Sequence, residues 1–427
     1  KTNNEKRNSK KIVRLEIGGE SFVFNLSNAG NYQLLKTLAH DVDAISDIDG
    51  FAGPRENIIN AFTGETILFK NLPDQEVTNQ GKKGSAMEEG NMDIKEFVKS
   101  SIENSKQVIF TGAPGTGKTY SVRKYVEDNT GKDEKRSKFV QFHSSYDYTD
   151  FVEGLRPVPG GSSGNMFVRM DGTFKAICRE VVEENLKRLP YDSIEAYFDY
   201  MKFADDKKKQ EIYKTLDEKP YYFIIDEINR ADLSRVFGEL MFGLEESYRE
   251  VHNRFDTQYK NLTTYQMNDD GTASPITDDC FKNGFFVPYN LHIIGTMNDI
   301  DRSVESFDFA LRRRFVWKDV KANDVMLETL QSMQKSCDGK IDLSEVVERI
   351  TKMNEAISGD GTGLSEAYHI GPAYFKDLAK VSDDEVDKTL KSIFDDRIEP
   401  ILREYTRGRR GEVANALIES CKTALGI

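Results

Sequence analysis

The stretch that most constrains this chain is Gln107-Val-Ile-Phe-Thr-Gly-Ala-Pro-Gly-Thr-Gly-Lys-Thr119. Val108 to Phe110 reads as a short buried strand, Gly112 to Gly117 as a glycine-rich loop, and Tyr120-Ser-Val-Arg-Lys-Tyr-Val126 as the helix that follows. The loop fits G-x-x-x-x-G-K-[ST], a pattern whose backbone wraps phosphates. Gly112, Ala113, Pro114, Gly115, Thr116 and Gly117 would form the cradle, Lys118 would reach the β/γ oxygens, and the Thr119 hydroxyl would hold Mg²⁺. The helix N-terminus adds unsatisfied donors and the positive end of a dipole, so Tyr120, in its first turn, is counted with the nucleotide-binding set. The alternative is a Gly/Pro turn joining a strand to a helix; the strand–loop–helix context favours a nucleotide-phosphate site.

A second signal lies a hundred residues on. Tyr221-Tyr-Phe-Ile-Ile-Asp226-Glu227 is an apolar run ending in two carboxylates, the pattern of a central parallel strand whose C-terminal end faces the phosphates. Asp226 would bind Mg²⁺, mostly through water, and Glu227 would polarise the attacking water; alone, the pair would also suit a strand running into a helix cap. Leu233, Val236, Phe237, Leu240, Met241 and Leu244 then recur at helical spacing, which predicts one core-packed helix. Leu291-His-Ile-Ile-Gly-Thr-Met-Asn298 predicts another buried strand ending at the same sheet edge, where Asn298 can hydrogen-bond the γ-phosphate or the lytic water. Arg312, Arg313 and Arg314 follow. Such a run is commonly a solvated face, but arginine suits multi-donor contact with phosphoryl charge, and one of the three is expected to act on a neighbouring subunit's nucleotide. Arg313 and Arg314 are the favoured pair.

Around these signals the chain divides into an N-terminal accessory unit (1–75), a polar linker (76–94), an NTPase core (95–318) and a helical lid (319–427). The first unit predicts a hairpin of Ile12–Ile17 with Ser21–Phe24, helices around Tyr32–His40 and Pro54–Phe62, and a strand at Thr66–Phe69. Within the core, Lys138–His143 reads as a strand, a hairpin-like stretch precedes a helix at Phe174–Leu189, and residues 190–219 read as a helical surface insertion. Residues 247–287 read as a polar insertion with a hairpin.

The chain opens at Lys1, without methionine, as a processed chain or a fragment would. With 427 residues, 38% hydrophobic and 31% charged, it can bury an ample core, and its net charge of −13 gives no global attraction to nucleic acid. No apolar run approaches membrane-spanning length and no signal peptide opens the chain, so a cytoplasmic protein without membrane contact is expected. Four isolated cysteines and five scattered histidines argue against disulfides and zinc. No Glu-x-Lys triplet of the usual metal-nuclease pattern occurs, which disfavours a built-in nuclease.

Taken together the motifs resemble the AAA+ superfamily and, within it, the McrB family of nucleotide-driven restriction motors. The resemblance spans about residues 95–425. It rests on Phe142-His-Ser-Ser-Tyr-Asp-Tyr-Thr-Asp-Phe-Val-Glu-Gly154, Ile225-Asp-Glu-Ile-Asn-Arg-Ala231, Val236-Phe-Gly-Glu-Leu240 and Gly295-Thr-Met-Asn-Asp-Ile-Asp-Arg-Ser303. Ala310-Leu-Arg-Arg-Arg-Phe315, Tyr368-His-Ile-Gly371 and Ile398-Glu-Pro-Ile-Leu-Arg-Glu-Tyr405 extend it. It implies an α/β fold: a parallel-sheet P-loop NTPase core with a helical lid, beside a small N-terminal α+β domain. It implies Mg²⁺ with GTP or ATP, GTP preferred, a catalytic contribution from Asp301 and Arg302 beside Asn298, and no intrinsic nuclease. The implied partners are further copies of the chain in a hexameric ring, a McrC-like nuclease subunit, and DNA, including modified-cytosine DNA. The Asn-Lys-x-Asp motif of small GTPases is absent, so a guanine preference would be set elsewhere, and the lid segment Tyr368–Phe375 carries no arginine. The competing expectation is an ATP-dependent AAA+ remodeller of protein complexes.

Overall fold

The computed structural model describes residues 93–131, 133–159, 165–300, 309–337, 341–409 and 411–427, together with four short strands nearer the N-terminus. The chain forms two compact units, Lys1–Ser85 and Ala86–Ile427. In the first, β1 (Ile12–Ile17) and β2 (Glu20–Asn25) form the expected antiparallel hairpin, closed at Ile17 and Glu20. β3 (Ile58–Ile59) pairs antiparallel with β4 (Thr66–Ile67). The helix expected over Pro54–Phe62 is therefore corrected at Ile58 and Ile59: β-branched side chains are stiff in a helix and fit a pleated pair. The helix expected at Tyr32–His40 and most of the linker lie outside the described residues.

The second unit is built on a five-stranded sheet in the order β13-β5-β12-β9-β6, every neighbouring pair parallel. The strands are β5 (Gln107–Thr111), β6 (Ser137–Gln141), β9 (Tyr221–Asp226), β12 (Leu291–Thr296) and β13 (Val316–Asp319). The apolar runs are long enough to bury both faces, as a parallel sheet requires. Ile109, Phe223, Ile225 and Ile293 enter the cluster beneath the helix Thr173–Arg188, while Val108, Phe110, Ile224 and Ile294 meet the helices Ile94–Glu103 and Lys118–Thr130 on the other side. Alternation along each strand thus produces a three-layer sandwich.

A second sheet runs β11-β10-β8-β7. The hairpin β7 (Glu153–Pro159) and β8 (Asn165–Asp171) forms as expected, and β10 (Thr264–Met267), which pairs antiparallel with β11 (Ala273–Pro275), adds to β8 in parallel. Glu153, buried at the root of the hairpin, pairs with Lys175 at 2.5 Å and Arg169 at 3.2 Å. A carboxylate so enclosed would carry a large desolvation cost without those two cations.

Three expectations are revised. Residues 190–219 do form helices (Ile194–Phe203 and Asp206–Asp217), but Tyr197, Met201, Ile212 and Leu216 are buried in the main core. The segment 247–287 contains the expected hairpin, yet Phe281, Phe285, Phe286 and Val287 also join that core. The single helix expected from Leu233 to Leu244 is two, Leu233–Phe237 and Leu240–Leu244, because the chain turns at Gly238 with φ 49° and ψ −132°. The apolar spacing survives the break: Leu233, Val236, Phe237, Leu240 and Leu244 are all buried.

The lid is helical, as expected, with its own apolar core around Met326, Leu330, Ile350, Phe375, Phe394 and Ile418. A π turn at Phe394–Ile398 precedes Pro400, whose missing N–H cannot continue the α-helical ladder. No helix among the described residues is long and apolar enough to cross a membrane.

Candidate functional site

Parallel register brings the separate motifs together. β12 lies between β5 and β9, with Gly295 opposite both Ile109 and Ile225 and Thr296 opposite Phe110. Whatever follows these strands therefore emerges at one edge: the glycine-rich loop after β5, Glu227 after β9, and Met297-Asn298 after β12. This is where an open α/β sheet binds ligands.

The loop departs from β5 at Gly112, whose φ of 131° is open to glycine, and a Cβ there would lie 2.3 Å from the Val320 carbonyl oxygen. Lys118 begins the helix and is almost fully buried. Its ammonium donates to the Ala113 oxygen (2.8 Å), the Gly112 oxygen (3.0 Å) and Thr116 Oγ1 (3.2 Å), and to Asn298 Oδ1 (3.3 Å). Burial pushes its pKa down to about 8, against the opposing pull of Asp299, Glu227, Asp319 and Asp226.

Thr119 donates to Asp226 Oδ1 at 2.7 Å, and Thr296 donates to the same oxygen at 2.6 Å. Hydroxyl and carboxylate oxygens with no nitrogen or sulfur suit a hard cation such as Mg²⁺. Among the described residues no group of three or more His, Cys, Asp or Glu forms a metal cage. Glu227 sits in the left-handed region (φ 52°, ψ 46°), unusual for a residue other than glycine. Its Oε1 accepts from Asn298 Nδ2 at 2.8 Å, and its Oε2 lies 3.3 Å from Arg230 Nε. Asn298 is held in turn by Asn229, which donates to its backbone oxygen at 3.3 Å.

Of the residues singled out from the sequence, Lys118, Asn298 and Glu227 form one hydrogen-bonded set against the Gly112 and Ala113 carbonyls of the loop, and Thr119 and Asp226 form a second set beside it, adjacent through the Lys118–Thr119 backbone. Tyr120 is 70% exposed and lines a cavity beside the loop with Gly115 and Gly117. Asp301 and Arg302 lie outside the described residues. The arginines divide: Arg314 is largely enclosed against Glu245 at 3.1 Å, Arg313 is 69% exposed at 3.7 Å from the same carboxylate, and Arg312 lies 5.1 Å over the Trp317 ring.

Sequence reasoning missed Thr296, Asp299, Asp319 and the lid's contact. Asp299 accepts from the Gly112 backbone N–H, and burial, with Asp319 nearby, raises its carboxyl above the ordinary value. Gly371 of the lid lies so close to the loop that a Cβ would stand 2.4 Å from the Gly115 carbonyl carbon. The Ala373 N–H donates to the Gly115 oxygen at 3.0 Å, while Arg397 steadies this segment through the Tyr374 oxygen (3.1 Å) and Asp377 (2.6 Å). The arginine-free lid segment thus meets the phosphate loop through backbone. Its signal was the small-residue run Gly371-Pro-Ala373, which nothing local explains.

Much of the family-like tyrosine motif is architectural. Asp147 caps the turn Tyr148–Phe151, Tyr148 donates to Glu239 at 2.5 Å, and Phe151 stacks on Phe174 at 4.9 Å.

Comparison with known proteins agrees with this geometry. The model of the AAA domain (dynein-related subfamily) matches residues 107–315, and that of the McrB alpha-helical lid domain matches residues 345–414. The chain is 33% identical over 314 residues to the type IV methyl-directed restriction enzyme EcoKMcrB subunit of Escherichia coli K12, covering 73% of this chain and 56% of that protein. It is 27% identical over 209 residues to the type II restriction enzyme BsuMI component YdiS of Bacillus subtilis 168, covering 48% of this chain and 54% of that protein. The chain thus spans about half the length of the curated relatives it matches. Among solved structures, domain III of the Thermotoga maritima replication initiation protein DnaA aligns at 12% identity with a TM-score of 0.27, covering 76% of this chain and 89% of that chain, too loose a match to inform the fold. With a phosphate loop, an Asp-Glu strand end and a polar strand end converging in the first matched region, and a lid of the named type over the loop, the chain belongs to the McrB family of the AAA+ superfamily.

Proposed function

We propose that this chain is a nucleoside triphosphatase, GTP preferred, whose ring drives DNA translocation for a restriction system in which a separate McrC-like subunit cuts. The observation that carries the reading is the convergence of two hydrogen-bonded sets, Lys118–Asn298–Glu227 and Thr119–Asp226, at three adjacent strand ends. The Lys118 ammonium, which donates to the loop carbonyls in the free protein, donates to the β/γ oxygens of bound nucleotide. Thr119 and Asp226 would hold Mg²⁺, which when bound would neutralise phosphate charge. Glu227 accepts a proton from the attacking water, and Asn298 fixes that carboxylate in place while its own oxygen faces Lys118. Asp301 and Arg302 extend the same signature.

Arg313, exposed and loosely paired, supplies transition-state charge stabilisation to a neighbouring copy, which makes the active form a ring, most simply a hexamer. DNA as the track, modified cytosine as its mark, and the nuclease partner are carried over from relatives named as components of restriction enzymes. Such a system operates in the cytoplasm, where it meets invading DNA.

The test is steady-state hydrolysis of GTP and ATP side by side, with and without DNA and the neighbouring nuclease subunit. Turnover of GTP stimulated by DNA or by the subunit supports the reading. ATP turnover indifferent to both would overturn it in favour of a remodeller of protein complexes.

A further inference from the structure

Beside the phosphate loop lies a cavity of about 410 Å³, bounded by the start of the helix Ile94–Glu103, by Gly115 and Gly117, and by one face of the lid helix Ala322–Lys335. Its walls are of two kinds. Ile94, Met333 and the exposed ring of Tyr120 are apolar and suit a flat heterocycle, while Glu328 stands on the polar wall. The Thr329 hydroxyl is buried with no hydrogen-bond partner among the described residues. Glu328 is anchored: its Oε2 accepts from the Ile94 backbone N–H at 3.1 Å. The same carboxyl also meets the Asp93 side chain, but a carboxylate offers about four lone-pair sites, so acceptor capacity remains on this wall of the cavity.

We propose that Glu328 is the residue that selects the base of the bound nucleotide, accepting the paired N1–H and 2-amino donors of guanine while its bond to Ile94 holds it in place. The inference rests on the phosphate loop being the triphosphate site, since the cavity opens beside its Gly115 and Gly117. Guanine presents two adjacent donors on one edge, which match the two oxygens of a carboxylate. Adenine presents one donor and, at N1, a lone pair that would face the carboxylate unpaired and repelled. A site built to receive N–H donors rejects the analogue that lacks them, because its buried acceptors are then left unsatisfied. Burial, and the charge and hydrogen bond of the Asp93 side chain, raise the Glu328 carboxyl above its ordinary value. The choice of base is thus made on the lid helix, which accounts for a guanine preference without an Asn-Lys-x-Asp motif.

Binding of GTP, inosine triphosphate and ATP to the full chain tests this, by competition against a fluorescent guanine nucleotide or by calorimetry. Inosine triphosphate differs from GTP only in lacking the 2-amino group. The unaltered chain should bind GTP roughly tenfold or more tighter than inosine triphosphate, the value of one hydrogen bond to a charged group. In Glu328→Ala that ratio should collapse towards unity. Glu328→Gln keeps an acceptor for Ile94 but offers adenine N1 a donor, so its GTP-to-ATP ratio should fall by about tenfold or more. Unchanged ratios in both variants, or no discrimination by the unaltered chain, would overturn the proposal. Lys118→Ala separates this from failure of the underlying reading: it should weaken all three nucleotides together. If all three still bind normally to Lys118→Ala, the phosphate-loop assignment fails instead.

Discussion

Asn298 Nδ2 donates to Glu227 Oε1 at 2.8 Å, tying the end of one buried strand to the carboxylate that follows its neighbour. Glu227 is held in a left-handed backbone conformation that costs of order 1 kcal/mol or more outside glycine. A strained, oriented carboxylate beside a phosphate loop is the arrangement expected of a general base. Glu227→Gln should therefore bind nucleotide with near-normal affinity while turnover falls by about 10²–10⁴-fold. Single-turnover phosphate release compared with equilibrium binding reads both quantities. Near-normal turnover would remove Glu227 from the chemistry.

The Lys118 ammonium gives the site a pH dependence. In the free protein its pKa is pushed down to about 8, chiefly by burial, and contact with phosphate favours the charged form. Binding above about pH 8 therefore takes up a proton, so affinity is full below that pH and declines as pH rises, by up to about tenfold per unit. Affinities measured between about pH 7 and about pH 9.5 should show this slope. Lys118→Arg, which stays charged throughout the range, should lose it even if it binds more weakly. A flat profile in the unaltered chain would show that the ammonium is not coupled to binding.

Gly371 permits the lid to touch the loop. A Cβ there would meet backbone atoms of Gly115 and Pro114 at 2.4–2.6 Å, and backbone cannot swing aside as a side chain can. Gly371→Ala should cost roughly 1–3 kcal/mol of lid–loop packing, seen as a lower Tm and weaker nucleotide binding. Gly411→Ala, where a Cβ meets nothing within 4 Å, is the matched control and should be neutral or mildly stabilising. Equal behaviour of the two variants would mean that the close approach is not felt.

Arg313 and Arg314 share one carboxylate but should fail differently. Arg313→Ala should lower turnover by about 10³–10⁵-fold with little change in affinity, as expected for a group that stabilises transferred phosphoryl charge. Arg314→Ala should instead lower Tm, since it removes the enclosed partner of Glu245. Mixing Arg313→Ala subunits with Lys118→Ala subunits should restore activity at mixed interfaces. If mixed rings form and activity is only the sum of the two parents, the arginine does not act between subunits.

The local chemistry of the site was legible in the chain. Lys118 and Thr119 follow a glycine-rich loop, Asp226 and Glu227 end an apolar strand, and Asn298 ends another, because short segments with strong periodicity and fixed turn chemistry report their own conformation. What the sequence could not report is what depends on register and docking. Thr296 reaches the same Asp226 oxygen as Thr119, 177 positions away, only because β12 pairs in parallel with both β5 and β9. Asp299 and Asp319 become site residues through where their strands end, and the interruption at Gly238 shows a helical period persisting where the helix does not. The division between Arg313 and Arg314 is likewise tertiary, since three consecutive arginines are alike until Glu245 encloses one more than the other. Residue type and spacing determined which chemistry this chain can carry; the pairing of distant strands and the backbone contact of the lid decided which atoms meet to carry it, because those contacts are paid for by the burial of the whole core and not by any local preference.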